Sequence, residues 1–374
     1  MLKRSSGRPT LLCVAGARPN FMKLAPLMRE LSERDSIDAL LVHTGQHYDE
    51  KMSGAFFRDL GLREPDYSLG AGSGTHAQQT AEIMKRFEPV AAEAQPDGVV
   101  VVGDVNSTVA CALVAAKLQI PVVHVESGLR SFDRSMPEEI NRIVTDVLSD
   151  ILLVSEASGV RNLRAEGIAE SRIHLVGNLM IDSLRRHLEQ ARGLGMPAKF
   201  GVTQGGYGVV TLHRPANVDD LSSLSDILEA LREIAADLPL VFPVHPRTRG
   251  RLEESRAWEG APIQLADPLG YVEFLGLMAG SAVVLTDSGG IQEETTVLGV
   301  PCLTLRDNTE RPVTHEQGTN VLAGTRKEGI LECWRRLKAN PPAGRIPDLW
   351  DGQAAKRCAD VLENYFTPGA ESRA

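Results

Sequence analysis

The sequence predicts an α/β protein of two doubly wound, Rossmann-like domains facing a cleft. Three observations carry this. Short β-branched runs alternate with longer helical patterns almost from end to end, polar and glycine residues recur just after the apolar runs, and the alternation stops once near mid-chain and restarts. At about 150 residues per domain, 374 residues fit two domains, and 43% apolar content supplies their cores.

Strands are expected at 11–15, 39–43, 98–102, 122–125, 151–154 and 173–176, short runs rich in Val, Leu and Ile. Helical periodicity fills the gaps at 21–34, 77–94, 105–118, 138–149 and 156–166, and a charged helix at 180–191 follows Gly177 and Asn178. The stretch GLGMPAKFGVTQGGYG at 193–208 lacks periodicity and is rich in glycine, which marks it as the domain linker. Strands then recur at 209–212, 240–244, 263–265, 282–286 and 301–304, with helices at 221–236, 271–279, 291–298 and 328–338. After the proline-rich NPPAGRIPD comes an amphipathic segment at 354–365. The expected domains are 1–190, with the C-terminal helix (350–368) packing back on it, and 205–345.

Composition removes several function classes. Forty-nine acidic against 40 basic residues give a net charge of −9, with no basic field for nucleic acid. No apolar run approaches the roughly 18 residues of a membrane span. Five cysteines, odd in number and without CxxC spacing, read as reduced thiols of a cytoplasmic protein, and the apolar part of the N-terminus is short for a signal peptide. HExxH and other metal-ligand spacings are absent. GAGSGTH at 70–76 has a threonine where a dinucleotide fingerprint needs its last glycine, and no strand precedes it. Neither a metal nor a nicotinamide cofactor is expected.

Ligands of parallel sheets sit beyond the carboxyl ends of the strands, and there this chain places Arg18, Lys23, Asp104, Glu126, His213, Arg214, His245, Asp287 and Ser288. TDSGGIQEE runs a strand through Ser288, Gly289 and Gly290 into a helix, an environment that suits a diphosphate. Glu293 and Glu294 either complement the helix dipole in its first turn or accept ribose hydroxyls. In RDNTERP, Arg311 is a candidate phosphate contact and Arg306 a solvated surface residue. Asp104 reads as either a helix cap or a catalyst, and one of Glu138 and Glu139 as helix N-terminal charge. Several carboxylates with His213 suit acid/base chemistry without a metal.

The motifs GARPNFMKLAPL, TGQHYDEKMS, GDVNST, HVESGLRSFDRSMPEEINR, VTLHRPANVD, TDSGGIQEE, RDNTERP and GTN, in this order, resemble the non-hydrolysing UDP-N-acetylglucosamine 2-epimerases. The resemblance implies the two-domain GT-B fold, a cytoplasmic homodimer, no cofactor, and interconversion of UDP-GlcNAc and UDP-ManNAc for cell-surface polysaccharide. The implied route is anti elimination of UDP to 2-acetamidoglucal, then readdition. It implies catalytic roles for Asp104, Glu126, Glu138 and His213, and places Arg18 and Lys23 near the phosphates. Ser288, Gly289, Gly290 and Arg311 would hold the diphosphate, Glu294 the ribose, and Phe274, with backbone near Leu269, the uracil. Gln46 and His47 match a motif that in some members binds a second, activating UDP-GlcNAc. Two departures are visible: the segment between Glu126 and Pro137 is short, and Ala216 stands where a glutamate is common. A 2-epimerase of a related sugar such as UDP-2,3-diacetamido-2,3-dideoxy-glucuronate, a GT-B glycosyltransferase and a nucleotide-sugar sensor are the competing readings.

Overall fold

The computed structural model describes residues 7–45, 57, 60–244, 246–255 and 260–367. The chain divides into two compact units, Met1–Ser183 with Asp348–Ala374, and Leu184–Pro347.

The first unit begins β1 (Thr10–Ala15), α1 (Arg18–Arg34), β2 (Asp38–His43), β3 (Tyr67–Ser68), α2 (His76–Ala94), β4 (Gly98–Val102) and α3 (Asn106–Lys117). It continues β5 (Val122–Ser127), α4 (Pro137–Leu148), β6 (Ile151–Val154), α5 (Ala157–Ala165), β7 (Ile173–Leu175) and the start of α6 (Leu179–Gly193). Its seven strands are ordered β3-β2-β1-β4-β5-β6-β7 and all pair in parallel. Leu12, Val14, Val99 and Val101 are buried against Ile83, Phe87 and Ala110, so the apolar runs are covered by helices, as a parallel sheet requires. The glycine loop before α2 ends in a cap: Thr75 Oγ1 accepts the Gln78 N–H at 3.3 Å, and the Gln78 side chain reaches back to the Thr75 N–H at 3.2 Å.

The second unit carries α7 (Met196–Lys199), β8 (Gly208–Thr211), α8 (Pro215–Val218), α9 (Leu221–Asp237), β9 (Leu240–Pro243), α10 (Pro246–Ser255) and β10 (Ile263–Ala266). There follow α11 (Tyr271–Ala279), β11 (Val283–Thr286), α12 (Gly289–Leu298), β12 (Cys302–Thr304), α13 (Pro312–Glu316), β13 (Asn320–Leu322) and α14 (Lys327–Ala339). Six parallel strands are ordered β10-β9-β8-β11-β12-β13. The last helix, α15 (Ala354–Phe366), belongs to the first unit. There Asp182 accepts the Ala354 and Ala355 N–H groups at 3.1 and 2.8 Å, and Trp350 Nε1 donates to the Ser155 carbonyl at 2.9 Å.

The boundary differs from the expected one. The 193–208 stretch is not a linker: Leu184, Ala191, Met196 and Tyr207 are buried in the second unit's core. A Cβ on Gly276 of α11 would lie 2.4 Å from the Ala191 carbonyl oxygen, so glycine here serves close packing. The border falls instead inside α6, between Ser183 and Leu184. The short elements β3, α7, α8, α10, α13 and β13 lie outside the expected set. Five of these are two to five residues long, too few to show a period. Among them, β3 stands just before the 70–76 glycine loop, where no strand is expected. α10 is ten residues long, but with Leu252 as its one apolar side chain it offers no apolar period. All five cysteines are unpaired, and all but Cys333 are buried.

Candidate functional site

In each sheet the order of strands reverses beside its first strand, and the crevice beyond the carboxyl ends lies there. In the first unit this is between β1 and β4. Asn20, in the first turn of α1, accepts from the Gly16 and Ala17 N–H groups at 3.2 and 2.9 Å and donates to the Val102 carbonyl at 3.1 Å, tying the two strand ends together. Gly103 follows at φ 68°, where a Cβ would lie 3.3 Å from Glu126 Oε2. Glycine is therefore the residue that leaves room for that carboxylate.

Glu126 sits at φ 68° where the pairing register shifts between Val125 and Ser127, a bulge that turns its side chain. A left-handed conformation costs a non-glycine residue on the order of 1 kcal/mol, so packing and pairing must hold it. Its carboxylate forms a buried ion pair with Lys23. Arg18, the first residue of α1, is exposed.

Asp104 is no helix cap, because α3 starts at Asn106 with Val105 as its N-cap and no side-chain cap bond. Its Oδ2 accepts instead from Arg142 Nε and Nη2 at 3.0 and 2.8 Å. The two glutamates of α4 separate cleanly. Glu139 is buried and spent on structure, accepting from the Ser131 and Phe132 N–H groups, both at 2.9 Å, and from Arg142 Nη1 at 2.5 Å. Glu138, one residue earlier, is half-buried with no hydrogen-bond or ion-pair partner among the described residues.

In the second unit the crevice lies between β8 and β11. Asp287, fully buried at the end of β11, accepts the His213 N–H at 3.0 Å, the Arg214 N–H at 2.9 Å and the Asn217 amide at 3.3 Å. It also lies 2.8 Å from His213 Nδ1. Burial alone would raise the Asp287 carboxyl, but His213 and the backbone donors outweigh it and hold it below its usual range. A carboxylate can only accept, so Nδ1 carries the hydrogen. Nε2 of this imidazole, whose side chain is 56% exposed, is then available for proton transfer.

α12 opens at Gly289 behind Ser288, whose side chain makes no cap bond, so the unpaired first-turn N–H groups are offered outward. A Cβ on Gly289 would lie 2.4 Å from Arg311 Nη1, which puts the guanidinium against the helix start. Arg311 is buried between Glu293, 2.7 Å from Nε, and Glu310, 2.5 Å from Nη1. Glu310 also pairs with Arg306 at 2.8 Å and Arg214 at 3.4 Å, so three arginines share two glutamates beside a positive helix end.

Two expectations need correction here. Arg306 is not solvated surface; it is 5% exposed and held by Glu310. Glu293 and Glu294 are not first-turn charges, because α12 starts at Gly289 and its first turn holds no acid. Glu293 neutralises Arg311, while Glu294 accepts from the Tyr271 hydroxyl at 2.8 Å. Burial pushes the Glu294 carboxyl up to about 7, Tyr271 pulling it down and the Glu293 charge pushing it up. Phe274 is half-buried on α11, and Leu269 precedes that helix. Gln46, His47 and His245 lie outside the described residues. Asp287 and Tyr271, the partners of His213 and Glu294, carry no local signal of those roles, because each pairing joins residues distant in sequence.

Two parallel α/β sheets, each gathering its polar residues at its own switch point, are the make-up of GT-B proteins. The chain belongs to the UDP-N-acetylglucosamine 2-epimerase family of isomerases, whose model matches residues 29–363. It is 45% identical over 361 residues to the UDP-N-acetylglucosamine 2-epimerase of Methanocaldococcus jannaschii, covering 94% of this chain and 98% of that one. It is 41% identical over 358 residues to the UDP-2,3-diacetamido-2,3-dideoxy-D-glucuronate 2-epimerase of Pseudomonas aeruginosa, covering 94% and 99%. Among solved structures, the M. jannaschii UDP-GlcNAc 2-epimerase in complex with UDP-GlcNAc and UDP superposes with a TM-score of 0.88 at 42% identity, covering 95% and 99%. The Neisseria meningitidis enzyme bound to UDP-GlcNAc gives 0.88 at 30%, covering 95% and 100%.

Proposed function

We propose that the protein interconverts UDP-N-acetylglucosamine and UDP-N-acetylmannosamine by eliminating and readding UDP. The observation that carries this is the division of labour between the two switch points. The carboxylates Asp104, Glu126 and Glu138, the last without a partner among the described residues, gather in the first unit, and an uncapped helix start with a buried arginine cluster in the second.

Carbon 2 of the sugar is not next to a carbonyl, so a side-chain base cannot remove its proton until C1 becomes cationic. As the C1–O bond breaks, its electron pair leaves with UDP. The C2 proton passes to a base and the C1=C2 double bond of 2-acetamidoglucal forms. Charge growing on UDP meets Arg311 and the N–H groups of Gly289 and Gly290, behind Ser288, which are fixed before the reaction starts. Readdition of UDP, with a proton delivered to the other face of C2, inverts that carbon. Asp104 and Glu138 are the two proton-transfer groups. Glu126 with Lys23 orients the sugar, and His213, held by Asp287, serves the leaving oxygen. Arg18 meets the phosphates, Glu294 the ribose, and Phe274 with the Leu269 backbone the uracil.

A second reading keeps the chemistry and changes the sugar, because the P. aeruginosa diacetamido-glucuronate enzyme is nearly as similar as the M. jannaschii one. Incubating the pure protein with each UDP-sugar and following the anomeric protons by NMR tests both. UDP-GlcNAc is expected to give a C2 epimer without further additions. Epimerisation of the diacetamido uronate alone would move the assignment to the second sugar.

Ribose hydroxyls donate to a carboxylate, so UDP binding should draw Glu294 to its ionised form. UDP affinity is expected to rise roughly tenfold between about pH 6 and 8, with proton release seen by calorimetry in buffers of different ionisation heat. Glu294→Gln should abolish that pH dependence. In folding the same group works the other way: its contribution is present below about 4.5 and lost as pH rises through about 7.

A homodimer accounts for α4, which is inside out. Glu139, Arg142, Thr145 and Asp146 are buried, while Ile140 and Val147 are 49% and 57% exposed. Ile140, Ile143, Val144 and Val147 form one apolar stripe at helical spacing. Ile140→Lys with Val147→Lys is expected to halve the mass measured by light scattering. A wild-type protein already monomeric would contradict the dimer.

A further inference from the structure

His124 lies on β5, two residues before Glu126, and has no exposed surface. Its Nδ1 is 2.6 Å from Asp146 Oδ1 on α4, and its Nε2 is 2.8 Å from the Gly103 carbonyl oxygen. Asp146 Oδ2 accepts from the Gly128 N–H at 3.1 Å and from Arg130 at 2.7 Å. Burial would raise the Asp146 carboxyl, but His124 and Arg130 outweigh it and hold it below the usual range. A carbonyl can only accept, so the ring donates to Gly103 from Nε2, with Asp146 against its other nitrogen. Arg130 also makes a two-point pair with Glu166 at 2.8 and 2.7 Å, so its guanidinium is shared by Asp146 and Glu166. Of the other charged groups on the buried face of α4, Arg142 pairs with Asp104 and Glu139, and Glu139 holds the 131–132 backbone.

What the ring holds matters because Gly103 immediately precedes Asp104. Glycine is the residue with the freest backbone, and this one sits at φ 68°. Three hydrogen bonds fix the turn: the Gly103 N–H donates to the Val125 carbonyl at 3.0 Å, its carbonyl accepts from His124, and the Asp104 carbonyl accepts from Asn141 at 2.9 Å. We propose that His124, anchored on Asp146, is a positioning residue for the epimerisation, clamping the Gly103 carbonyl and so fixing the peptide that presents the Asp104 carboxylate. This rests on the role given to Asp104 above. Displacing a proton-transfer group by about 1 Å costs roughly 10²-fold in rate, so losing the clamp should be read in turnover and not in nucleotide binding.

The test begins with wild type and Asp104→Asn, whose activities decide the Asp104 reading independently. In an active wild-type background, His124→Phe is expected to lower kcat roughly 10- to 100-fold with KM and UDP affinity unchanged. His124→Gln, whose amide can still donate to the Gly103 carbonyl, should recover part of the loss, and Asp146→Asn should add little to His124→Phe. A folded His124→Phe protein with kcat close to wild type, or a loss carried by KM and UDP affinity, overturns the proposal while leaving Asp104 in place. Nitrogen NMR of the wild-type protein needs no variant to fold. One buried, slowly exchanging histidine should carry hydrogen on Nε2, the nitrogen facing the Gly103 carbonyl, and an Nε2 without hydrogen would overturn the proposal.

Discussion

Asp104→Asn and Glu138→Gln are each expected to lower kcat by roughly 10²-fold or more, the usual scale for removing a general acid or base, while UDP binding persists. The two variants differ in what else they disturb. The amide oxygen introduced by Asp104→Asn would keep an acceptor for Arg142, which Glu139 continues to hold at 2.5 Å. Glu138 has no partner among the described residues, so the Glu138→Gln protein should melt like the wild type. Steady-state turnover with calorimetric UDP titration and thermal melts checks both. Near wild-type turnover in either would make that carboxylate structural.

Arg311→Ala should fail in two ways at once. Loss of a charge-assisted phosphate contact, about 1.5 to 3 kcal/mol, weakens UDP binding roughly 10- to 150-fold. It also leaves the buried Glu293 and Glu310 without one of their cations, and breaking a buried pair typically costs about 3 to 5 kcal/mol of stability. Arg311→Lys separates the effects, because a lysine keeps the charge and loses the planar fork. Its melting temperature should lie nearer the wild type than that of Arg311→Ala, with UDP affinity still reduced. Unchanged UDP affinity in both variants would remove Arg311 from the diphosphate site.

The long elements are legible in the sequence because β-branched runs and helical spacing repeat often enough to show their periods, and the strand-end rule leads directly to Asp104, Glu126, His213 and Ser288. Gly289 is read from the sequence as leaving room for a diphosphate, and the structure places the Arg311 guanidinium against it. Pairings across the sheet are not legible in this way. Asp287 meets His213 from 74 residues away, and His124 meets Gly103 from the neighbouring strand. Nothing local distinguishes Glu138 from Glu139 either. The turn of α4 decides it, presenting Glu139 to the 131–132 backbone and leaving Glu138 without a partner among the described residues. The same turn exposes the apolar stripe that periodicity alone would place against the core. The 193–208 stretch reads as a linker because glycines that serve close packing look, in sequence, like glycines that serve flexibility.

Elimination requires that the C1–O bond break and the C2 proton be exchanged in every inversion. The most direct measurement runs the reaction in D₂O with UDP-GlcNAc labelled with heavy oxygen at the bridge between C1 and phosphate. Elimination and readdition predict deuterium at C2 of the product, heavy oxygen moving from bridging to non-bridging positions, and a slow leak of 2-acetamidoglucal and UDP. Epimerised product that keeps its C2 proton, with no movement of the oxygen label, would contradict elimination and the roles given to Asp104 and Glu138.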